Sequence, residues 1–353
     1  MLSRSTARCA PAALAGIRQR AMQTGLQKFI AFPEVTDERV IPAVATVLKE
    51  KIAQPVLVGD REAAYKCAKA NNVSLEGVRI IDPSLHPEVV EQTATVLFQK
   101  RQKKGMTLDA ALDTVKNSPL MMADLMLTTG QVQGCVAGAA HTSADVARAA
   151  LQCVGVKKGL KTASSFFIIA KDDTTYLFAD CGFCIAPSIS QLAEIAITTA
   201  QTCEDVLATT PRVAMLSFST FGSAKHEYVT RVQEALALAR KEKPDLAIDG
   251  EMQVDAAIVP EVAAKKAPGS KVAGHANVLI FPDLNAGNIA YKIAERFGGY
   301  QAVGPIFQGL AYPTNDLSRG CHADDVVDAA AVTVLQGSGI PIPTGPAPGD
   351  ILN

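Results

Sequence analysis

The chain has 353 residues, and its 34 basic and 35 acidic side chains give a formal net charge of −1. This balance excludes a histone-like or polybasic membrane-binding protein, because both need a large excess of positive charge. Hydrophobic residues make up 48% and charged residues 20% of the chain, which is typical of a globular protein with a sizeable core, and the length favours two domains. No apolar run approaches the roughly 18 residues that cross a bilayer, so we expect no membrane partner.

The first 33 residues contain basic but no acidic side chains. Arginine recurs there among Ala, Leu, Ser and Thr, at Arg4, Arg8, Arg18 and Arg20. This composition predicts a transit peptide over residues 1–24, with the mitochondrion as the expected destination and the plastid as the alternative. A solvated N-terminus with no targeting role is the other interpretation.

Short β-branched runs alternate with longer segments of helical periodicity from residue 28 onward. The predicted strands are KFIAF (28–32), PVLVG (55–59), VRII (78–81), VQGCVAG (132–138), SSFFIIA (164–170), TYLFAD (175–180), RVAMLSF (212–218) and NVLIF (277–281). The predicted helices cover residues 37–50, 61–71, 87–104, 144–154, 188–207, 223–243, 285–297 and 323–335. This alternation predicts an α/β protein with two doubly wound, mostly parallel sheets.

Composition changes at residues 156–161 and again near Gly304–Pro305. They predict a discontinuous domain I, residues 25–158 plus 306–353, and an inserted domain II, residues 159–305. Periodicity alone leaves open whether the last helix returns to the first sheet. The Gly- and Pro-rich tail, residues 337–350, predicts an irregular end on the surface.

The eight cysteines are scattered, unlike the dense framework of a secreted disulfide protein, and we expect reduced thiols. Cys181 and Cys184 form a CxxC that could hold half a zinc site or a redox pair. No second CxxC follows, so packed thiols are the favoured interpretation.

Nucleotide and hydrolase motifs are incomplete. GSGIPI (337–342) lacks the third glycine of a Rossmann loop, HEYVT (226–230) lacks the second histidine of a zinc protease, and neither a P-loop nor a GxSxG elbow occurs. The chain has no Trp and 5% aromatic residues, which leaves few stacking platforms for single-stranded nucleic acid. We therefore expect no nucleic-acid partner.

The stretch GPIFQGLAYPTNDLSRGCHADD (304–325) predicts a loop that presents polar groups until a helix begins near Ala323. Arg319 offers a planar fork of donors for an oxyanion, Gly320 permits close backbone approach, and Ser318 adds a hydroxyl. Asp325 falls in the first helical turn, where it either complements the helix dipole or acts as a general base.

Other polar clusters follow predicted strands, where open α/β sheets place ligand sites. AHTSAD (140–145) predicts either an anion site at a helix start or a Ser143 cap, with Arg148 one turn later. FSTFGSAKH (218–226) predicts a phosphate cradle at Ser219 and Thr220, or a plain turn. FPDLNAGN (281–288) supplies helix-capping candidates or ligands: Asp283, Asn285 and Asn288.

The carboxylates of DGEMQVD allow a divalent-metal interpretation, because hard cations prefer oxygen ligands. They are Asp249, Glu251 and Asp255. Sequence alone leaves this site open, and we do not favour it.

In their order along the chain, these stretches resemble the phosphate acetyltransferase (phosphotransacetylase) family from about residue 28 to 335. The most specific motifs are FPE with DERV (32–40), GCVAGAAHTSADVARAALQ (134–152), LSFSTFGSAKHE (216–227), DGEMQVDAAIV (249–259), NVLIFPDLNAGNIAYK (277–292) and NDLSRGC (315–321). Relatives that transfer butyryl share the plan, but NDLSRGC and FPDLNAGN look like the acetyl branch.

The resemblance implies reversible transfer of acetyl between coenzyme A and phosphate in a ternary complex, with no bound cofactor and no metal. It implies Asp325 as the base for the thiol, Ser318 as the group polarising the carbonyl and Arg319 as the phosphate ligand. Arg101 and Arg148 would meet anionic parts of coenzyme A. Gly320, Ser219, Thr220 and Asn285 complete the expected substrate site.

The resemblance also implies the fold of the isocitrate and isopropylmalate dehydrogenase group, with a cleft between two α/β domains. It implies a homodimer formed through the second domain, and a functional link to an acetate kinase. Phe221, His322 and Ala323 depart from the residues usual in the family. Two alternatives of other classes are a metal- and nicotinamide-dependent decarboxylating dehydrogenase and a non-catalytic binding protein.

Overall fold

The structure is a computed structural model that describes residues 11–341 and the backbone of residues 350–351. Its strands are β1 Phe29–Phe32, β2 Gln54–Val58, β3 Arg79–Ile81, β4 Gly134–Val136, β5 Ser164–Lys171, β6 Thr174–Ala179, β7 Val213–Leu216, β8 Ile248–Met252, β9 Val278–Ile280, β10 Gln301–Gln308, β11 Thr314–Asn315 and β12 Asp350–Ile351. Its α-helices are α1 Ala12–Thr24, α2 Val40–Lys49, α3 Arg61–Ala70, α4 Pro87–Arg101, α5 Leu108–Asn117, α6 Pro119–Thr128, α7 Ser143–Ala149, α8 Ile189–Leu207, α9 Glu227–Glu242, α10 Val254–Ile258, α11 Pro260–Lys266, α12 Leu284–Arg296 and α13 Ala323–Gln336.

Two six-stranded sheets organise the described chain. The first sheet has the order β11-β4-β1-β2-β3-β12 and is parallel except for β12. The second has the order β10-β5-β6-β9-β7-β8, in which β10, β5 and β6 are antiparallel and the other pairs parallel. The predicted α/β class with mostly parallel sheets is confirmed. We call each sheet with its helices the first and second lobe.

The chain leaves the first lobe after β4, builds the second lobe, and returns when β11 pairs parallel with β4. Thr314 and Asn315 lie beside Cys135 and Val136 in this pairing. Periodicity could not establish this return. The predicted boundary at residue 305 falls inside β10, which extends to Gln308 in the second sheet.

The prediction that residues 304–325 form a loop throughout is wrong for its first part, because residues 304–308 belong to β10. Pro305 is compatible with this strand because β10 is an edge strand whose register shifts between Val303 and Ile306. The part that remains irregular, apart from the short strand β11, links β10 to α13.

Helix α1 was not predicted, and it occupies half of the predicted transit peptide. Its residues Leu14, Ile17 and Ala21 are buried against α13. At its end, a Cβ on Gly25 would stand 1.6 Å from the carbonyl oxygen of Ile52, so this close approach requires glycine. Removal of residues 1–24 would uncover this packing.

Helix α13 forms the centre of the molecule. Every residue from 326 to 335 is buried, and the helix contacts α1, α2, α8, β4 and β10. Its Ala- and Val-rich composition suits a helix enclosed on all sides, because small side chains allow several neighbours to approach closely. Its first turn lies at the irregular loop, so the core of the protein fixes the place of Asp325. Within the described ranges, no helix combines the length and apolarity needed to cross a membrane.

Candidate active site

A small cavity of about 60 Å³ lies where the loop before α13 meets the second lobe. From the loop and α13 it is lined by Leu317, Ser318, Gly320, Cys321 and Asp325. From the second lobe it is lined by residues of β5, α12 and β10, among them Phe167, Lys292, Glu295, Arg296 and Gly304. Three of the residues expected to form the substrate site, Ser318, Gly320 and Asp325, therefore share one interlobe cleft.

A larger cavity of about 320 Å³ lies in the second lobe between the ends of α8 and α9, lined mainly by Gln201, Glu204, Lys243 and Asp245 with apolar neighbours. None of the motif residues line it. We assign the site to the smaller cleft because there the loop side chains and several cations converge.

Asn315 anchors the start of the loop. Its side-chain oxygen accepts the backbone N–H of Phe307 at 2.9 Å, and its amide nitrogen donates to Thr333 Oγ1 and Gln336 Oε1, both at 2.8 Å. The buried amide thus ties β10, the loop and α13 together, because each of its polar atoms has a partner. Within NDLSRGC, Leu317 and Cys321 are buried, and the residues between them, 318–320, are exposed.

Asp325 occupies the third position of α13, where its Oδ2 accepts the backbone N–H of His322 at 2.8 Å. Burial raises the pKa of this carboxyl above its ordinary value of 3.8, although the His322 N–H opposes the shift. This hydrogen bond supports the interpretation at the helix terminus, and the role of Asp325 as a general base stays a prediction. Asp325 caps the helix, and its raised pKa also brings its basicity closer to that of a thiol.

Arg319 is exposed. No hydrogen bond or ion pair engages its guanidinium within residues 11–341, so its donors are available to a ligand. Ser318 is also exposed, and its Oγ accepts the N–H of Gly320 at 3.3 Å. The hydroxyl proton of Ser318 remains available for donation. The loop therefore presents a cation and a neutral donor side by side.

Two cations of α12 were missed by the sequence analysis. Lys292 and Arg296 line the cleft, with Lys292 Nζ 4.9 Å from the ring centroid of Tyr291 and Arg296 Nε 3.5 Å from Glu295 Oε2. Their spacing of four residues places both on one helix face. That spacing was a usable signal, directly after the FPDLNAGN motif.

The turn of residues 138–141 is an anion site, but the chain fills it itself. The carboxylate of Glu34 accepts the backbone N–H groups of Gly138, Ala139, Ala140 and His141 at 2.9–3.1 Å, and His141 Nδ1 lies 2.7 Å from Glu34 Oε1. Burial opposes ionisation, yet these bonds lower the pKa of Glu34, while Glu34 raises that of His141.

The helix cap after this turn differs from the predicted residue. Thr142, not Ser143, is the N-cap of α7, and its Oγ1 accepts the N–H of Asp145 at 3.2 Å. Capping was the right kind of interpretation, one residue away. Because Glu34 supplies the anion, the sequence pattern alone could not show that the site was already occupied.

Ser219 and Thr220 are buried away from the cleft. Ser219 Oγ donates to Glu251 Oε1 at 2.7 Å, and Thr220 Oγ1 accepts the N–H of Gln253 at 3.0 Å. Both hydroxyls have partners in or directly after β8, and neither residue lines the cleft. The plain-turn interpretation describes this segment.

The three remaining expected ligands lie outside the cleft lining, and so does Arg319, although its neighbours Ser318 and Gly320 line it. Asn285 is exposed at the start of α12, which is capped by Asp283. Arg148 pairs with Asp145 at 2.7 Å with its side chain 63% exposed, and Arg101 ends α4. Helix α4 contacts residues 150–154, the turn that continues α7, so both arginines belong to one side of the first lobe.

The carboxylates proposed for a metal have other partners. Asp249 pairs with Arg240 at 2.7 Å, Glu251 accepts from Ser219 and the Gly222 N–H, and Asp255 pairs with Lys266 at 2.8 Å. Within the described ranges, no group of three His, Cys, Asp or Glu residues could hold a metal ion.

The CxxC pair consists of two free thiols. Cys181 is fully buried and Cys184 partly buried, and burial raises the pKa of both. This burial supports the interpretation of packed thiols. Among the departures from the family, Phe221 is 44% exposed and His322 is exposed beside Asp325.

Comparison with known proteins gives the same class of protein as the cleft. Residues 14–334 match the model of the phosphate acetyl/butaryl transferase family. The chain is 48% identical over 315 residues to a phosphate acetyltransferase of Acetivibrio thermocellus, which covers 88% of this chain and 94% of that protein. It is 44% identical over 307 residues to the phosphate acetyltransferase of Bacillus subtilis, with 87% and 94% covered.

A solved phosphotransacetylase of Streptococcus pyogenes superimposes with a TM-score of 0.85 at 39% identity, covering 92% of this chain and 98% of that chain. The family match and these relatives thus define an acyltransferase, and its fold consists of two α/β lobes. The chain belongs to the phosphate acetyl/butaryl transferase family.

Proposed function

We propose that this protein transfers acetyl reversibly between coenzyme A and inorganic phosphate. The relatives named phosphate acetyltransferase, similar over nearly the whole chain, support this proposal. The observation that carries it for this chain is the interlobe cleft, where Ser318 and Asp325 face the cations of α12. Such a cleft suits an anionic substrate and a thiol that must lose its proton.

In the proposed reaction Asp325 takes the proton of the coenzyme A thiol, and the thiolate attacks the carbonyl carbon of acetyl phosphate. A thiol with a pKa near 8.5 is only a few per cent ionised at neutral pH, so a positioned base is useful. Ser318 donates to the carbonyl oxygen as it gains negative charge. The carbon–oxygen bond to phosphate then breaks, and Arg319 holds the departing phosphate.

The same proposal assigns Arg101 and Arg148 to the anionic parts of coenzyme A, and Gly320 to close approach of the backbone. It includes no bound cofactor and no metal, since coenzyme A and phosphate are substrates. Ser219 and Thr220 are left out of the revised substrate site because their hydroxyls have internal partners. Asn285 remains a proposed ligand at the exposed start of α12.

The test uses purified protein with acetyl phosphate and coenzyme A, followed by thioester absorbance. We expect thioester formation that is insensitive to chelator and slower with butyryl phosphate. Faster turnover of the butyryl donor would favour phosphate butyryltransferase, which the family description also includes. Activity only with a nicotinamide and Mg²⁺ would favour a dehydrogenase, and coenzyme A binding without turnover a binding protein. The product acetyl phosphate suits consumption by an acetate kinase.

We further propose a homodimer formed through the second lobe. Large apolar side chains are exposed in the loop after β7 and in the first turns of α9 and α10, with Phe218 at 57%, Phe221 at 44%, Tyr228 at 60% and Val254 at 49%. Phe218, His226 and Tyr228 form a chain of ring contacts, with centroids 6.3 and 4.8 Å apart. A patch of this kind is typical of a protein–protein contact.

Organelle import is proposed from the composition of the N-terminus alone, with the mitochondrion favoured over the plastid. Because α1 packs in the core, we confine any removable segment to residues that precede Ala12. A fluorescent protein fused to residues 1–30 is expected to enter the organelle. A fusion that stays in the cytosol removes the import proposal.

A further inference from the structure

Arg39 lies beside the cleft without lining it, in the last position before α2. A guanidinium has five N–H donors, and each of the five has an acceptor here. Nε and Nη2 donate to the two oxygens of Asp37 at 3.0 and 2.7 Å. The other three donors reach backbone carbonyls, those of Arg319 at 2.6 Å, Cys321 at 3.4 Å and Ala139 at 2.5 Å.

The three carbonyls belong to two separate turns. Ala139 lies in the turn after β4, whose N–H groups hold Glu34. Arg319 and Cys321 lie in the loop that presents Ser318 to the cleft. The side chain of Arg39 therefore joins the 319–321 segment to a turn that is itself fixed by a buried carboxylate.

Packing holds one end of this segment, because Cys321 is buried in the core, but the segment's other hydrogen bonds stay within the loop. The Cys321 N–H donates to the Ser318 carbonyl at 2.8 Å and the Gly320 N–H to Ser318 Oγ at 3.3 Å, both within the loop. The exposed guanidinium of Arg319 has no partner within residues 11–341. The direction of the Arg319 side chain thus depends on the Arg319 backbone, whose carbonyl oxygen accepts a hydrogen bond from Arg39.

Electrostatics favours this arrangement despite two neighbouring arginines. Asp37 neutralises Arg39, and although burial opposes ionisation of Asp37, the hydrogen bonds from Arg39 lower its pKa below the ordinary value. A lysine could not make the same hydrogen bonds, because its ammonium is a compact point charge and lacks the planar, forked donors of a guanidinium.

We propose that Arg39 is a positioning residue for the phosphate-holding loop: it acts through the backbone of Arg319 and does not touch substrate. The inference rests on the proposed role of Arg319 as the phosphate ligand. Misplacement of a substrate-holding group by about 1 Å can cost about a hundredfold in rate. Loss of the five hydrogen bonds of Arg39 should therefore weaken the use of phosphate more than the use of acetyl-CoA.

The test compares Arg39→Lys with the parent enzyme in the direction that consumes acetyl-CoA and phosphate. We expect the KM for phosphate to rise about tenfold or more, the KM for acetyl-CoA to stay within about twofold, and kcat to fall, with an unchanged melting transition. Hydrogen exchange measured by mass spectrometry should be faster for residues 315–322 and unchanged elsewhere. A purely structural role would instead lower the melting transition without this split between the two substrates.

Arg240→Lys is the matched control, because Arg240 also pairs with a carboxylate and a backbone carbonyl, Asp249 Oδ1 at 2.7 Å and Ile248 O at 3.0 Å, but in the second lobe. It should leave both KM values unchanged. Asp37→Asn, which keeps the shape but loses the charge, should shift the KM for phosphate in the same direction by less. This variant keeps the proposal testable if Arg39→Lys fails to fold.

Arg319→Gln is measured in parallel to separate two failures. If Arg319→Gln raises the KM for phosphate while Arg39→Lys and Asp37→Asn leave it unchanged, the positioning role of Arg39 is overturned and the proposed function stands. If Arg319→Gln itself leaves the KM for phosphate unchanged, the proposed role of Arg319 is overturned, and with it the inference.

Discussion

Asp325 caps α13, and we propose that the same side chain acts as the base. Its Oδ2 accepts the His322 N–H at the start of α13, and burial raises its pKa. A base that also caps a helix is held in one orientation, so it can accept a proton from a donor in a fixed position. The half-buried position therefore serves both the helix and the proposed chemistry.

Asp325→Asn tests this assignment. We expect kcat to fall about 10²- to 10⁴-fold, because a general base contributes roughly that factor, while coenzyme A still binds. In the parent enzyme the rate should fall toward acid with an apparent pKa above 3.8, because Asp325 must be ionised to accept a proton and burial raises its pKa. Kinetics from pH 4 to 9 and calorimetric titration with coenzyme A measure both effects.

Asp324→Asn is the control, since that neighbouring side chain is 82% exposed. The Asp324→Asn variant should have the same kcat as the parent enzyme and the same fall in rate toward acid pH. Near-normal turnover of Asp325→Asn would contradict the assignment of the base.

Asp124 is a fully buried carboxyl whose Oδ1 accepts from Thr314 Oγ1 at 2.6 Å. Burial raises its pKa to about 7, from an ordinary 3.8. The folded state therefore binds this proton more tightly than the unfolded state. Its contribution to stability is complete below about pH 4 and is lost as the pH rises through about 7.

Asp124→Asn removes this dependence, because an amide resembles the protonated acid and does not ionise. We expect the melting temperature of Asp124→Asn to fall less between pH 4 and pH 8 than that of the parent. Each unit of pKa shift that the substitution removes corresponds to about 1.4 kcal/mol in the free energy of unfolding. Asp109→Asn, at an exposed position of α5, controls for the change in net charge. Parallel curves for the parent and Asp124→Asn would contradict the prediction.

Helix α1 joins the core through apolar packing and through Arg18, which lies within ion-pair distance of Glu50, Asp324 and Asp328. Arg18 Nε donates to Asp328 Oδ1 at 2.6 Å, and the side chain of Asp328 is only 3% exposed. Asp328 lies one turn after Asp325 on the same buried helix. The N-terminal helix is therefore coupled to the helix that bears the proposed base.

Arg18→Met should destabilise the protein by about 3 kcal/mol at pH 8, because it leaves Asp328 buried without its cation. Burial already raises the pKa of Asp328 to about 6 although Arg18 opposes this shift, so the cost should shrink as the pH falls and Asp328 becomes protonated. Denaturant unfolding at pH 8 and pH 5 measures it. The double variant with Asp328→Asn should recover most of the loss, and an additive double variant would refute the coupling.

At the scale of the whole molecule, the two lobes divide the work. The first lobe supplies the loop and α13, and the second supplies the cations of α12 on the other wall of the cleft. The exposed apolar patch that we propose as the dimer contact lies in the second lobe, in the loop after β7 and at the starts of α9 and α10.

Tyr228→Glu tests the dimer. A charge in this apolar patch should shift the mass measured by light scattering from two chains toward one, because a buried unpaired carboxylate is costly. Tyr65→Glu, at a partly exposed position on α3 of the first lobe, should leave the mass unchanged. A parent enzyme that already has the mass of one chain would contradict the prediction.

Much of the fold was predictable from local pattern. The alternation of β-branched runs and helical segments predicted both sheets, and the helices at 61–71, 188–207 and 323–335 are found as α3, α8 and α13 within a few residues. Helix α1 was missed because its arginines suggested targeting. The role of Arg18 in the fold depends on its ion pair with the buried Asp328, and this partner lies 310 positions away along the chain.

Sequence by itself determined the α/β class, the loop around residues 315–322 and the chemistry available at Ser318, Arg319 and Asp325, because periodicity and side-chain type are local properties. Only the tertiary structure decided which polar groups are still free to meet a ligand. Glu34 occupies the anion site at 138–141, and Glu251 accepts a hydrogen bond from the hydroxyl of Ser219. All five donors of Arg39 bond to Asp37 and to the carbonyls of two turns. A polar group carries the same chemistry in any context, but its partners come from distant segments, and those are set only when the chain folds.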